Sequence, residues 1–278
     1  MKKITLIIML GLLSAGAFCQ QKADIVLSYE KKSRNWVTDS LQKSNMTLLV
    51  NSGEAKYFND VSLWTDSLKS TPEGKKQWQE IIMATCMTKD AGGGMSIDLR
   101  KGPVKKIHDY IFTRVSDGSL RHYTKLGDEN IYYDEPLSEM QWEIGDSTVN
   151  ILGYDCVSAV TDYHGRRWMA WFATDIPVSF GPWKLHGLPG LILKAESDNG
   201  CTFRATGIEK TDRIISPMYS PDAYDRKDRK KALADEEHYL NNKEAIIKSK
   251  YANVEFQGRR EPKKYDCSRY SLEPDYKE

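Results

Sequence analysis

From Val104 to Glu209 the chain is interrupted at short intervals by turn signals, and this spacing constrains the fold more than any other feature of its 278 residues. Ile107 to Val115 runs into Asp117-Gly118, and Tyr154 to Tyr163 into His164-Gly165. Leu191 to Glu196 runs into Asp198-Asn199-Gly200 ahead of Cys201 to Ile208. β-Branched and aromatic runs joined by such short Gly-containing turns read as hairpins. Alternating βαβ units are missing, which argues against a doubly wound parallel sheet. The expected class is mainly β (α+β): a curved antiparallel sheet or half-barrel meander, with a short helix in the N-terminal half and a charged helix near the C-terminus.

The flanks fit that plan. Asp24 to Tyr29 and Met46 to Val50 read as strands, and Asn51-Ser52-Gly53-Glu54 turns the second toward Ala55 to Phe58. Thr71 can cap a helix that starts at Pro72, with Trp78, Ile81, Ile82 and Cys86 at helical spacing, until Ala91-Gly92-Gly93-Gly94 breaks it. Asp222 to Lys250 is charged and helix-permissive. Its basic run at 226–231 is followed at once by Asp235-Glu236-Glu237, the mark of a solvated helix face.

Residues 1–20 carry two lysines, an apolar run from Ile4 to Leu13 and small residues Ser14 to Ala17, the three parts of a secretory leader. Cleavage is expected near Cys19-Gln20, since the bulky Phe18 sits where lipidation of Cys19 would want a small residue. The division follows: 1–19 signal peptide, 20–219 a β-rich domain with a helical insertion near 72–90, and 220–278 a helical and polar extension packed on that domain. No later run reaches the roughly 20 apolar residues of a membrane helix, and the expected location is periplasmic or secreted. Forty basic against 39 acidic residues leave no electrostatic footprint for nucleic acid. The four cysteines beyond the leader permit two disulfides in an oxidising compartment. The pairing expected is Cys156 with Cys201, leaving Cys86 with Cys267.

Between Gly153 and Glu196 stand Gly153-Tyr154-x-Cys156, Ala170-Trp171-Phe172, Ile176-Pro177 with Gly181-Pro182, and Gly187-Leu188-Pro189-Gly190-Leu191-Ile192. This ordered set resembles the GLPGLI family of exported Bacteroidota proteins. The resemblance implies a class and a compartment but no reaction. Physically, Leu188-Pro189-Gly190-Leu191 suits a type II turn, with Pro fixing the first central φ and Gly accepting a positive φ at the second. Leu191-Ile192-Leu193 lacks alternation, so it is expected to be a strand buried on both sides.

Four of the seven tryptophans fall between Trp142 and Trp183. Core packing is the plain reading. The functional one is a loop from Phe180 to Gly190 closing over a ligand, with Trp168, Trp171, Trp183 and His186 as its contacts. Catalytic strings are nearly absent: there is no Gly-x-Ser-x-Gly, no His-Glu-x-x-His and no phosphate-binding glycine loop. Gly145-Asp146-Ser147 reads as a hairpin turn. His108 and His122 flank Asp117-Gly118 at a distance that would let them meet across a hairpin. Met83, Cys86, Met87 and Met95 could offer soft ligands, but a thioether-rich helix core explains them. Asp134 and Glu135 are adjacent on a strand and so face opposite ways. The expectation is a non-enzymatic envelope binding or accessory protein with no cofactor and no metal, holding a small apolar or amphipathic ligand. A structural partner of an outer-membrane transport system and a hydrolase using His186 are the alternatives.

Overall fold

The computed structural model describes residues 21–89, 95–98, 101–137, 140–250 and 264–277. The leader and the Ala91-to-Gly94 break fall outside them. In the N-terminal half, β1 (Ile25–Arg34), β2 (Leu41–Val50) and β3 (Glu54–Phe58) precede α1 (Asp60–Lys69) and α2 (Pro72–Cys86), and a small ribbon of β4 (Met87–Lys89) and β5 (Met95–Ile97) follows. The meander comprises β6 (Tyr110–Arg114), β7 (Ser119–Leu126), β8 (Glu129–Pro136), β9 (Glu143–Ile151), β10 (Tyr154–Tyr163), β11 (Arg166–Ala173), β12 (Leu191–Ser197) and β13 (Thr202–Lys210). Last come β14 (Asp225–Arg226), α3 (Arg229–Lys250) and α4 (Cys267–Tyr270). Twelve strands make one sheet in the order β14-β8-β7-β6-β3-β2-β1-β13-β12-β11-β10-β9, antiparallel throughout except where β14 runs parallel to β8.

Each strand divides its side chains between two faces. Leu27 and Tyr29 of β1, Met46 and Leu48 of β2 and Tyr57 of β3 join Trp168 and Phe172 of β11 and Phe203 of β13 in one buried cluster. Leu49, Phe58, Tyr110 and Tyr123 face the other way and are covered by Leu63 of α1 and by Ile215 and Met218. The first face curls. β8 and β11 stand eight places apart, about 38 Å in a flat sheet at ~4.8 Å per strand. Yet His164, in the turn before β11, puts Nε2 2.8 Å from Glu135 Oε2 on β8. The backbone order ends at β14 and β9, so this is a half-barrel whose open side is bridged by side chains.

The segment between β11 and β12 fills the curl. Phe180, Trp183, Leu185 and Leu188 are buried in the large cluster, and Leu191, Ile192 and Leu193 are fully buried on entering β12. The expected type II turn does not form, because Gly190 lacks a positive φ; the left-handed glycine of the motif is Gly187, at φ 91. Gly190 is needed for closeness instead: a Cβ there would lie 2.3 Å from the Ala173 carbonyl oxygen.

The disulfide expectation is also overturned. Cys86, Cys156, Cys201 and Cys267 are buried and free. β11 and β12 lie between Cys156 on β10 and the start of β13 beside Cys201, a separation of about 14 Å that a disulfide cannot span. The register also places His122 opposite Ile111, not opposite His108.

The second face holds Lys56, fully buried, its ammonium donating to the carbonyl (2.9 Å) and hydroxyl (3.0 Å) of Ser216 and lying 5.1 Å from the centres of the Phe58 and Phe112 rings. Burial, with Arg213 nearby, lowers its pKa to about 7. A lysine whose folded pKa is depressed weakens the fold wherever the unfolded chain holds the proton more tightly. Stability is therefore expected to rise between pH 7 and about 10 with a slope of up to ~1.4 kcal/mol per unit. Lys56→Met is expected to flatten that rise and to raise the melting temperature at pH 7; urea titrations across this range measure both.

Candidate functional site

The mouth of the curl contains a cavity of about 190 Å³. Its floor is the first face of the sheet: Met46, Tyr57, His122, Thr124, Leu126 and Tyr133, residues that alternate inward along β2, β3, β7 and β8. Trp183 forms one wall, stacked on Trp168 with ring centres 5.3 Å apart. Ala232, Leu233 and Glu236 of α3 and Tyr265 and Tyr270 to Glu273 of the C-terminal segment roof it.

A polar chain runs from this cavity through the wall. His122 Nε2 lies 3.0 Å from Asp109 Oδ1, and its Nδ1 shares a hydrogen bond with the Tyr133 hydroxyl at 2.7 Å. Thr124 Oγ1 donates to the same Asp109 oxygen at 2.8 Å. Burial alone would raise the Asp109 carboxyl, but His122, Lys31 and Thr124 outweigh it and hold it well below the usual range. Past Tyr133 stands Lys184, fully buried, donating to Glu135 and to Glu273 Oε1 (2.5 Å). His164 then joins Glu135 to Asp275, and Arg229 of α3 donates to Glu273 (2.8 Å) and Asp275 (2.6 Å). Burial pushes the Glu135 carboxyl up, while His164 and the Lys184 ammonium pull it down further, to about 2.

Glu135, His164 and Glu273 bring ligand atoms within 4.8 Å of one another, close enough for a metal ion. The cation between the two carboxylates is already supplied by the Lys184 ammonium. Lys184 and Arg229 thus work as internal counter-ions, tying the loop, β8, α3 and the C-terminal segment together across the open side of the half-barrel. Because each charge is buried and paired, removing one strands its partner.

Of the expected contact residues, the structure brings only Trp183 to the cavity. Trp168 is fully buried directly beneath it. Trp171 lies on the opposite face, with Lys194 Nζ 4.0 Å above its ring. His186 is buried, its Nδ1 2.8 Å from the Lys184 carbonyl, and Trp142 Nε1 donates to the His186 carbonyl at 2.8 Å. Asp134 and Glu135 do face opposite ways: Asp134 pairs outside with Arg121, while Glu135 enters the buried cluster. Asp109, Lys184, Arg229, Glu236 and Glu273 were not among the sequence candidates. Lys184 alone carried a readable signal, a single charge set between Trp183 and Leu185 in an otherwise apolar loop.

Over residues 164–194 the chain matches a family model described as "Protein of unknown function (Porph_ging)". That stretch runs from the His164-Gly165 turn through the Gly187-to-Ile192 string. No curated protein matches the chain. Among solved structures it is similar to PNGF-II in the P21 space group, at 16% identity and TM-score 0.47, covering 77% of this chain and 33% of that one. The C2 form of PNGF-II gives 15%, 0.47, 77% and 32%. A putative outer membrane lipoprotein-sorting protein domain from Vibrio parahaemolyticus gives 9% identity and TM-score 0.21, over 72% of this chain and 89% of that one. The chain thus spans about a third of the length of the PNGF-II chain.

Proposed function

We propose that this is a non-enzymatic binding protein of the cell envelope, exported by its leader, that holds a small amphipathic molecule in the mouth of the half-barrel. The carrying observation is the cavity itself, where aromatic and aliphatic walls (Trp183, Met46, Leu126) meet Asp109, His122 and Glu236. Concave sites in which apolar rings and stems meet placed polar groups are where proteins bind small molecules. At about 190 Å³ the cavity has room for roughly six waters, at ~30 Å³ each, or for a ligand of about ten heavy atoms. That is too little for a lipid acyl chain, and the polar groups disfavour a purely apolar guest.

Native mass spectrometry of the mature protein, purified gently from its own envelope fraction, is expected to show a discrete extra mass that denaturation releases. Ala232→Phe, which fills the roof where Ala232 is buried, is expected to abolish that mass while leaving the circular dichroism spectrum unchanged. A clean apo mass would end the small-molecule reading and move weight to a structural partner, to be sought by cross-linking in whole envelopes.

A further inference from the structure

We propose that residues 264–277 form a strap that closes over the cavity and controls what it holds, buckled down by the Arg166 guanidinium. The inference rests on the small-molecule reading above and adds how that site is opened and shut.

The floor of the cavity belongs to one continuous ladder, so it cannot part without breaking backbone hydrogen bonds. α3 is held with it. β14, just ahead of that helix, pairs with β8, the Lys227 amide donates to the Tyr132 carbonyl at 2.9 Å, and Ala232 packs with Leu126, Ile131 and Tyr133. The strap is attached differently. It gives Tyr265, Tyr270, Ser271, Leu272 and Glu273 to the roof, yet among the described residues no backbone–backbone hydrogen bond joins it to the rest of the chain. Of its side chains only Cys267 and Glu273 are buried, with Leu272 and Tyr265 adding partial packing against the main cluster and Trp36.

Side chains fasten it instead. Arg166, the first residue of β11, is 7% exposed and donates to the carbonyl oxygens of Cys267 (3.1 Å), Ser268 (2.6 Å) and Ser271 (2.7 Å). Asn199, in the turn before β13, donates to the same Ser271 carbonyl at 3.0 Å. Further along, Glu273 and Asp275 meet Lys184, Arg229 and His164, and on the outside Arg269 pairs with Asp39 at 2.6 Å. Lifting the strap strands no charge in the interior. Lys184 and His164 keep Glu135, Arg166 keeps Asp198, and the departing carboxylates and carbonyls reach water. A segment with so few buried apolar contacts opens well below the cost of unfolding the whole. An occupant that touches Tyr270 and Leu272 favours the closed form, so holding it and closing the strap are one equilibrium.

Amide hydrogen exchange of the mature protein, read beside native mass spectrometry, tests this. The Tyr270 and Ser271 amides, bonded within α4, are expected to be protected at least about a hundredfold less than the amides of β1 in the middle of the sheet. Arg166→Met is expected to leave those two amides close to unprotected while β1 stays protected and the circular dichroism spectrum is unchanged. The occupancy of the extra native mass is expected to fall at least about tenfold in the same variant, because the competent closed form has become rare. Arg269→Gln removes only the exposed pair with Asp39 and keeps the test standing should Arg166→Met fail to fold; it is expected to speed exchange in the strap about two- to fivefold. Strap amides protected as strongly as those of β1 overturn the inference, since the segment then opens only when the whole molecule unfolds. An extra mass held by Arg166→Met at the parent's occupancy overturns the control of the site and leaves the binding reading standing. A parent clean of any extra mass ends both.

Discussion

Lys184→Met is expected to cost about 3–5 kcal/mol, a large share of the roughly 5–15 kcal/mol that keeps an ordinary domain folded. The substitution keeps the apolar stem and removes the ammonium, so the loss reports charge and not a cavity. Two carboxylates, Glu135 and Glu273, would then face each other in a buried site with only His164 and Arg229 to answer them. The triple variant Lys184→Met, Glu135→Gln, Glu273→Gln is expected to recover most of the loss, because a neutral set no longer holds an uncompensated charge. Urea unfolding of the three proteins decides it, and a single variant as stable as the parent would show that the cluster does not hold the open side closed. The same cluster sets an acid limit. Glu135 is held at about 2 in the fold, against about 4.3 in an unfolded chain. Its contribution is complete above the unfolded value and disappears as the pH falls from about 4.3 toward 2.

Gly190→Ala is expected to destabilise by about 3 kcal/mol, at the upper end of overpacking costs. The added methyl would meet the backbone of Ala173, carbonyl oxygen and carbon together, and Phe172 beside it. Backbone cannot swing aside as a side-chain tip can. Gly153→Ala is the control: its φ of 88 is strained for alanine, but open space surrounds the new methyl, so a cost of about 1 kcal/mol is expected. Melting temperatures of the two variants separate crowding from strain. If Gly190→Ala loses no more than Gly153→Ala, the Gly187-to-Ile192 string is a turn requirement and not a packing one.

Much of the architecture could be read from the sequence because its signals are local. Arg166 to Ala173 alternates and forms β11 over those residues. Thr71 and Pro72 announce α2, and the Thr71 side chain accepts from the Gly74 amide as a cap should. α1 was missed because its apolar residues mislead. Val61 and Trp64 sit at helical spacing yet are exposed, while Ser62 and Thr65 are buried. Ser62 donates to the Ile107 carbonyl and Thr65 to the Val61 carbonyl, so polar groups could take the inward face. The site lies at the far end of legibility. Asp109, Glu135, Lys184, Glu236 and Glu273 come from five separate stretches, and only the curl of the sheet brings them together. The rule that sends Asp134 and Glu135 to opposite faces was sound, but it could not show that Glu135 would find its partners His164 and Lys184, 29 and 49 residues further along the chain.

The four unpaired thiols make the molecule its own stopwatch. Cys86 lies at the end of α2, Cys156 in β10, Cys201 at the turn into β13 and Cys267 in α4, all shut away from reagent. Burial pushes the Cys156 thiol up to about 11 and also raises that of Cys201, so neither reacts while the surrounding structure is closed. Alkylation by a small maleimide therefore times the opening of four different regions within one chain, with no label introduced and no residue changed. Among the described residues reductant has no disulfide to break, and the melting curve is expected to be the same with and without it.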